Sequence, residues 1–181
     1  MSYSRLMLAA FLLIYVSTFS FSTSAAEDAA QKLTIERIFA DPSLSGPSPR
    51  ALKISPDGSR VTFLKGKEDA RAQLDLWEYN IEAGESRLLV DSRVLMPEEG
   101  ELSEEERARR ERKRISSFRG IVEYSWSDNG KALLFPLAGD IYVYDLTKPS
   151  DKAVKRLTET AGFETDAKFS PKGNYVSFIR D

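Results

Sequence analysis

A turn-and-strand pattern occurs three times along the chain and restricts the fold more than any other feature. Each copy has an apolar residue, a turn similar to Ser-Pro-Asp-Gly, and a strand of alternating apolar residues, and the copies span residues 54–64, 126–135 and 169–179. Pro at the second turn position presets φ, and Gly at the fourth tolerates a positive φ. Each turn is therefore predicted to join two antiparallel strands.

A second pattern follows the first two copies. A strand, a polar turn and another strand occupy residues 74–81 and 84–90, and again residues 139–146 and 155–158, with period-two alternation. Each full unit is therefore predicted to hold four short antiparallel strands. The later of the two intervals between turn glycines has the length of one propeller blade, and the earlier interval is longer by an insertion.

Two all-β folds accommodate such strands, the β-sandwich and the β-propeller. A sandwich does not require the same order of turns and strands to recur, whereas a propeller does, because each blade repeats the same unit. The sequence therefore predicts a partial β-propeller over residues 51–181, with two four-stranded blades and the start of a third. An extended segment over residues 27–50 is predicted to precede it.

The last strand of the pattern, residues 175–179, is followed by only two further residues. A blade buries both faces only by stacking on neighbours, and a propeller normally closes with at least four blades. The strand would then present an unpaired apolar edge. We therefore expect the chain to be a fragment of a longer propeller.

The insertion over residues 103–115 is dominated by charged side chains. Ser103 and Glu106 form a capping-box pattern that predicts a helix start, and Glu106 with Arg110 has the i,i+4 spacing of a helical ion pair. Acidic residues come first and basic residues follow, which suits the helix dipole. Because the segment is almost devoid of apolar residues, it is predicted to be a solvated helix that projects from the blade.

Three roles are open for this helix. It can be a purely structural, salt-bridged element. A nucleic-acid contact is disfavoured, because the bases only slightly outnumber the acids and the net charge of the chain is −2. Alternatively, an arginine near its C-terminal end reaches a substrate cavity and contacts a carbonyl or carboxylate, as guanidinium groups do well.

The first 26 residues have the features of a secretory signal peptide. Arg5 provides a positive start, residues 6–16 form an apolar run, and small residues precede a predicted cleavage after Ala26. The run is short of the ~20 residues that a spanning helix needs, so no stable membrane anchor is expected. Without a twin arginine, Sec export is predicted, and with it a periplasmic or extracellular location.

The sequence contains neither histidine nor cysteine. A Ser-His-Asp triad needs an imidazole as its general base, so the chain cannot hold this machinery. Thiolate catalysis, disulfides and metal sites built from His or Cys are excluded for the same reason. We therefore expect no metal and no cofactor, and no catalytic residue within the chain.

Several stretches resemble the start of a bacterial dipeptidyl peptidase IV, a serine peptidase of the prolyl oligopeptidase family. The resemblance covers essentially all of residues 33–181, and the stretches that carry it are Leu-Thr-Ile-Glu-Arg-Ile-Phe at 33–39, Gly-Pro-Ser-Pro-Arg at 46–50, Ile-Ser-Pro-Asp-Gly at 54–58, Leu-Asp-Leu-Trp-Glu-Tyr at 74–79, Arg-Arg-Glu-Arg-Lys-Arg-Ile at 109–115, Gly-Ile-Val-Glu-Tyr-Ser-Trp at 120–126 and Gly-Asp-Ile-Tyr-Val-Tyr-Asp-Leu at 139–146. The opening stretch combined with the arginine-rich helix is the most specific part of this match.

The resemblance implies an exported, usually homodimeric parent enzyme that releases Xaa-Pro dipeptides from peptide N-termini. Its catalytic triad and Gly-x-Ser-x-Gly elbow lie in a C-terminal α/β-hydrolase domain, which this sequence does not contain. An arginine of the early propeller contacts the substrate in the family, and Arg114 is the first candidate here, followed by Arg110. The chain is thus predicted to be the N-terminal propeller fragment of such a peptidase and inactive alone. The alternative is a stand-alone periplasmic propeller-type binding module without catalysis.

Overall fold

The computed structural model describes residues 33–40, 43–97, 102 and 104–180. The predicted signal peptide and the predicted helix cap at Ser103 lie outside the described residues. The chain divides into two compact units, Met1–Phe39 and Ala40–Asp181. None of the described helices has the length and apolar character that a membrane crossing requires.

The described part of the first unit contains one short helix, α1 (Ile35–Phe39). The backbone N–H of Arg37 donates to Thr34 Oγ1 at 3.2 Å, which caps the first turn of this helix. The helix lies inside the segment 27–50 that the sequence predicts to be extended.

The second unit begins with the antiparallel sheet that we call blade one. Its strands follow one another in sheet order and are β1 (Arg50–Ile54), β2 (Arg60–Gly66), β3 (Gln73–Asn80) and β4 (Glu85–Val90). A short helix, α2 (Ser92–Leu95), comes directly after β4. The four antiparallel strands confirm the predicted composition of a blade.

Blade one also carries a fifth strand that the sequence does not predict. After helix α3 (Glu104–Arg112), the two-residue strand β5 (Arg119–Gly120) pairs in parallel with the start of β3. Strand β4 pairs with β3 only from Leu76 onward, so the start of β3 has an open edge. The returning chain occupies this edge, where the N–H of Ile121 donates to the carbonyl of Leu74 at 3.0 Å.

A second antiparallel sheet, blade two, repeats the arrangement. Its strands in sheet order are β6 (Ser125–Trp126), β7 (Ala132–Leu137), β8 (Asp140–Asp145) and β9 (Val154–Arg156), with a 3-10 turn at Ser150–Lys152 before β9. The antiparallel hairpin of β10 (Glu164–Phe169) and β11 (Val176–Arg180) then forms the start of a third blade. The described part of the chain is therefore a partial β-propeller, as the repeat predicts.

The predicted turns form at all three places. The N–H of the turn glycine donates to the carbonyl of the turn serine in each copy, at 2.9 Å for Gly58 and Ser55. Gly58 has a φ of 72°, in the left-handed region where a side chain would be strained. The turns thus bring each first strand of a unit antiparallel onto its second strand.

The hydrophobic core lies between the two blades. One face of blade one meets one face of blade two, and the large buried side chains at this contact are Leu64, Leu74, Leu76, Phe135, Tyr142 and Tyr144. The rings of Phe135 and Tyr142 are stacked, with centroids 5.6 Å apart. The core is formed by the stacking of the two blades, because a single blade cannot bury both of its faces without a neighbour.

Helix α3 exists as predicted, but the prediction that it is solvated is wrong for one of its faces. Glu106 and Arg110 are both buried. The predicted i,i+4 pair is present, with Arg110 Nε 2.8 Å from Glu106 Oε1, and Arg110 Nη1 also donates to the carbonyl of Phe118 at 3.2 Å. Buried charges persist where they are paired and hydrogen-bonded, so a helix whose only apolar residue is Ala108 can still pack against the blade.

Candidate functional site

A cleft of about 450 Å³ is lined by residues of helix α3, of strands β6 and β7 in blade two, and of the β10–β11 hairpin. Its apolar lining residues include Leu134, Pro136 and Ile179. Charged side chains of both signs line it, namely Arg109, Lys113, Glu123, Asp166 and Lys168. The cleft thus combines a small apolar area with charged groups of both signs.

Arg109 is the central cation of this cleft and is 17% exposed. Its Nε and Nη2 donate to the two carboxylate oxygens of Glu106 at 2.6 and 2.8 Å, and its Nη1 donates to Glu123 Oε1 at 2.7 Å. A guanidinium carries five N–H groups, and these bonds use three of them. Two N–H groups therefore have no partner among the described residues, and they belong to a side chain that lines the cleft.

Glu123 is shared between two cations. Its second oxygen accepts from Lys113 Nζ at 2.8 Å, while its first accepts from Arg109. Burial alone would raise the pKa of Glu123, but the hydrogen bonds from Lys113 and Arg109 prevail and lower this pKa. Hydrogen bonding to Glu106 likewise raises the pKa of Arg109. These groups are fixed charges at neutral pH, which suits binding and electrostatic positioning better than proton transfer.

The β10–β11 hairpin contributes an ion pair to the lining of this cleft. Asp166 has a φ of 52° and lies at an irregularity of the β10–β11 pairing between Thr165 and Lys168. Asp166 Oδ2 accepts from Lys168 Nζ at 2.9 Å, and this bond lowers the pKa of Asp166. A bulge redirects side chains locally, and here it accompanies a carboxylate that lines the cleft.

The two arginines predicted from the sequence have different surroundings. Arg110 is held by Glu106 and Phe118, and Arg114 is an exposed residue with a φ of 55° just after helix α3. Neither lines the cleft, so a contact of Arg114 or Arg110 with substrate stays a prediction. The helix itself was identified correctly, but the base that lines the cleft is Arg109.

Sequence reasoning missed three residues of this site, Arg109, Glu123 and Asp166. The i,i+3 spacing of Glu106 and Arg109 is a signal that was present, since such neighbours pair on a helix surface. Nothing in the sequence indicates that Glu123 or Asp166 would lie nearby.

Among the residues that the structure describes, no group of three or more His, Cys, Asp or Glu side chains could hold a metal ion.

Solved structures similar to this chain were found. No known protein-family profile matches the chain. A protein assigned as TolB from Agrobacterium tumefaciens is similar over 75% of this chain and 38% of its own, with 16% identity and a TM-score of 0.46. TolB from Acinetobacter baumannii is similar over 72% of this chain and 26% of its own, with 19% identity and a TM-score of 0.44. The chain thus matches less than half of the length of either structure.

Proposed function

We propose that this chain is a non-catalytic, peptide-binding β-propeller module that acts after export, in the periplasm. The observation that carries the proposal is the cleft beside Arg109, which combines guanidinium N–H groups that have no partner among the described residues, fixed charges of both signs and a few apolar lining residues. The sequence provides no histidine or cysteine for catalysis. The signal-peptide pattern supports export.

The chemistry of the cleft suits the end of a peptide chain. Arginine N–H groups bind main-chain carbonyl and carboxylate oxygens, often through two parallel hydrogen bonds. The carboxylates of Glu123 and Asp166 attract an ammonium or N–H group, and the apolar lining at Pro136 and Ile179 accepts an apolar side chain. A peptide presents these three features within a few residues.

Titration calorimetry of the purified chain with tripeptides that begin with Gly-Pro tests this proposal. Arg109→Gln removes the free donors, and we expect the Kd to rise at least about tenfold, since a lost charge-assisted hydrogen bond costs about 1.5–3 kcal/mol. Arg107→Gln is the matched control, because Arg107 is exposed on the same helix and does not line the cleft. Equal Kd values for both variants, with unchanged melting curves, would contradict the proposal.

A second candidate function is favoured by one contact. The stretches 109–115 and 120–126, which resemble dipeptidyl peptidase IV, meet at this cleft through the bond between Arg109 and Glu123. In this interpretation, the module positions peptide N-termini for a hydrolase domain that this sequence does not contain. We therefore expect the chain to bind Gly-Pro-p-nitroanilide without releasing nitroaniline. A preference for free over N-acetylated peptides supports this candidate, and release that survives purification overturns it.

A further inference from the structure

A second cavity, of about 350 Å³, is lined by residues of strands β1, β2 and β3 and by residues of the segment that follows helix α3. Its buried lining residues include Leu64 and Leu74, and its lining residue Leu52 is 63% exposed. We call this cavity the Arg50 pocket, after the charged residue in its lining. The pocket shares no lining residue with the cleft beside Arg109, and its walls come from blade one and the segment 115–122.

Arg50 is the only charged residue among the described residues that line this pocket. In the pairing of β1 with β2 it lies opposite Leu64, so the two side chains share one face of the sheet. The guanidinium of Arg50 lies over the ring of Phe118, 4.3 Å from the ring centroid. It forms no ion pair with another described residue. A positive charge without a counter-ion therefore lies at the edge of an apolar cavity.

Further positive charge lies next to the pocket lining along the chain. Arg114 directly precedes one lining residue, Ile115. Arg119 directly follows another, Phe118, and both arginines are exposed. Neither arginine forms an ion pair with another described residue, and no acidic residue is among the described lining residues. The charge of this region therefore favours an anionic ligand.

The wall that follows helix α3 is held in place by buried Arg110. The N–H of Phe118 donates to the carbonyl of Ile115 at 3.0 Å, which closes a turn between these two lining residues. The carbonyl of Phe118 accepts from Arg110 Nη1 at 3.2 Å, and Arg110 Nε donates to Glu106 at 2.8 Å. A wall that is already ordered loses little conformational entropy when a ligand binds, which favours affinity.

The wall formed by β1 contains a strained residue. Ala51 has a φ of 50°, which residues with a Cβ atom adopt rarely. It lies with Leu52 in an irregularity of the β1–β2 pairing that directly follows Arg50. The carbonyl of Ala51 accepts from the Tyr124 hydroxyl at 2.7 Å, which holds this conformation. Bulges and strained backbone positions are frequent beside ligand sites, where they re-aim side chains.

We propose that the Arg50 pocket binds a small carboxylic acid with an apolar body. The carboxylate pairs with Arg50, since guanidinium groups bind carboxylates through two parallel hydrogen bonds, and the body occupies the apolar cavity. A pocket of this volume, lined by apolar side chains and one charged group, has the usual form of a small-molecule site. The ligand is a free acid and not a peptide C-terminus, because no described lining residue except Arg50 offers a polar side chain to the amides of a longer chain. This second ligand site goes beyond the peptide binding proposed for the cleft beside Arg109.

Titration calorimetry of the full chain with 4-phenylbutyrate tests the proposal, and 4-phenylbutanamide is the uncharged control ligand. We expect the acid to bind at least about tenfold more tightly than the amide, because the amide cannot form a charge-assisted hydrogen bond to the guanidinium. Acetyl-Gly-Gly-Phe presents a ring and a carboxylate on a peptide, and it should bind no more tightly than the acid. Equal Kd values for acid and amide, no binding of the acid at about 10 mM, or tighter binding of the peptide overturns the proposal.

Two variants locate the acid in the pocket. Arg50→Gln should weaken the acid at least about tenfold and leave the amide unchanged. Arg112→Gln is the matched control, because Arg112 is an exposed arginine that does not line the pocket, and it should alter neither Kd. Leu52→Asn removes apolar lining and should weaken acid and amide alike. Arg50 and Leu52 are both exposed, so we expect both variants to fold, and melting curves check this. The proposal fails if Arg50→Gln and Arg112→Gln change the Kd of the acid equally, or if Leu52→Asn leaves the Kd of both ligands unchanged.

Discussion

Blade one and blade two place equivalent residues on equivalent faces, yet they bury them to different extents. Tyr79 on β3 and Tyr144 on β8 hold the same position in the repeat. Tyr144 is 1% exposed because its ring packs against blade one, whereas Tyr79 is 37% exposed. The same residue type on the same kind of strand is thus buried or exposed according to the neighbouring blade, which is the behaviour of a repeat architecture.

The blades are more alike at the buried aspartate near the start of their third strands. In blade one, Asp75 accepts from the backbone N–H and hydroxyl of Ser92, each at 2.8 Å, and from Lys67 Nζ at 2.6 Å. In blade two, Asp140 accepts from the Thr158 hydroxyl at 3.3 Å and pairs with Arg156. Each aspartate therefore fastens its third strand to the segment that leads to the next unit.

The tyrosine pair gives the largest expected difference between the blades. Tyr144→Ala removes a ring from the inter-blade core and should lower the free energy of unfolding by about 3–5 kcal/mol. Tyr79→Ala truncates a more exposed ring and should cost about 1 kcal/mol or less. Urea unfolding followed by circular dichroism measures both values. Similar losses for the two variants would show that the face of blade one that carries Tyr79 is covered in solution.

The two buried aspartates should differ less than the two tyrosines in the free energy of unfolding that is lost on substitution. Asp75→Ala leaves the buried Ser92 N–H without an acceptor and Lys67, whose side chain is 11% exposed, with Asp91 alone. We expect a loss of about 3 kcal/mol.

Asp140→Ala is the matched variant in blade two. Arg156 has a side chain that is 39% exposed and can turn to water, and Thr158 keeps a bond to Glu164 at 3.1 Å. A loss of about 2 kcal/mol is expected. Thermal and urea unfolding of both variants check the order, and a larger loss for Asp140→Ala would show that the Thr158 network matters more than burial of the cation.

Local features of the fold could be predicted from the sequence, and contacts between distant segments could not. The turn at Gly58 and the alternation of β8 follow from residue type and period, because neighbours in sequence determine them. The parallel pairing of β5 and the burial of Arg110 depend on partners elsewhere in the chain. The cleft beside Arg109 could not be predicted for the same reason, since helix α3, blade two and the β10–β11 hairpin all contribute to its lining and no periodicity relates them.

The first strands of the blades differ in how they are held. Strand β1 is exposed along its length, and the segment that precedes β6 fastens it. The Tyr124 hydroxyl donates to the carbonyl of Ala51 at 2.7 Å, and Lys53 Nζ donates to the carbonyl of Tyr124. Burial raises the pKa of Tyr124 to about 12. This tyrosine is therefore a reporter of the attachment of β1 to blade two.

The attachment predicts a pH dependence with a definite sign. A phenol whose pKa is raised in the folded state contributes stability that is complete below pH 10 and is lost as the pH rises from 10 to about 12. The loss should be on the order of 2 kcal/mol, and Tyr124→Phe should remove this share of the pH dependence while costing about 1 kcal/mol at neutral pH. Burial also raises the pKa of Tyr142, but that contribution is present in both proteins. Tyr175→Phe is the control, because Tyr175 is exposed. The lowered pKa of Lys53, caused by burial, acts in both proteins and drops out of their difference. Unfolding free energies at pH 9 to 12 measure the effect, and parallel curves for the native protein and Tyr124→Phe would mean that β1 is not held to blade two by this hydroxyl.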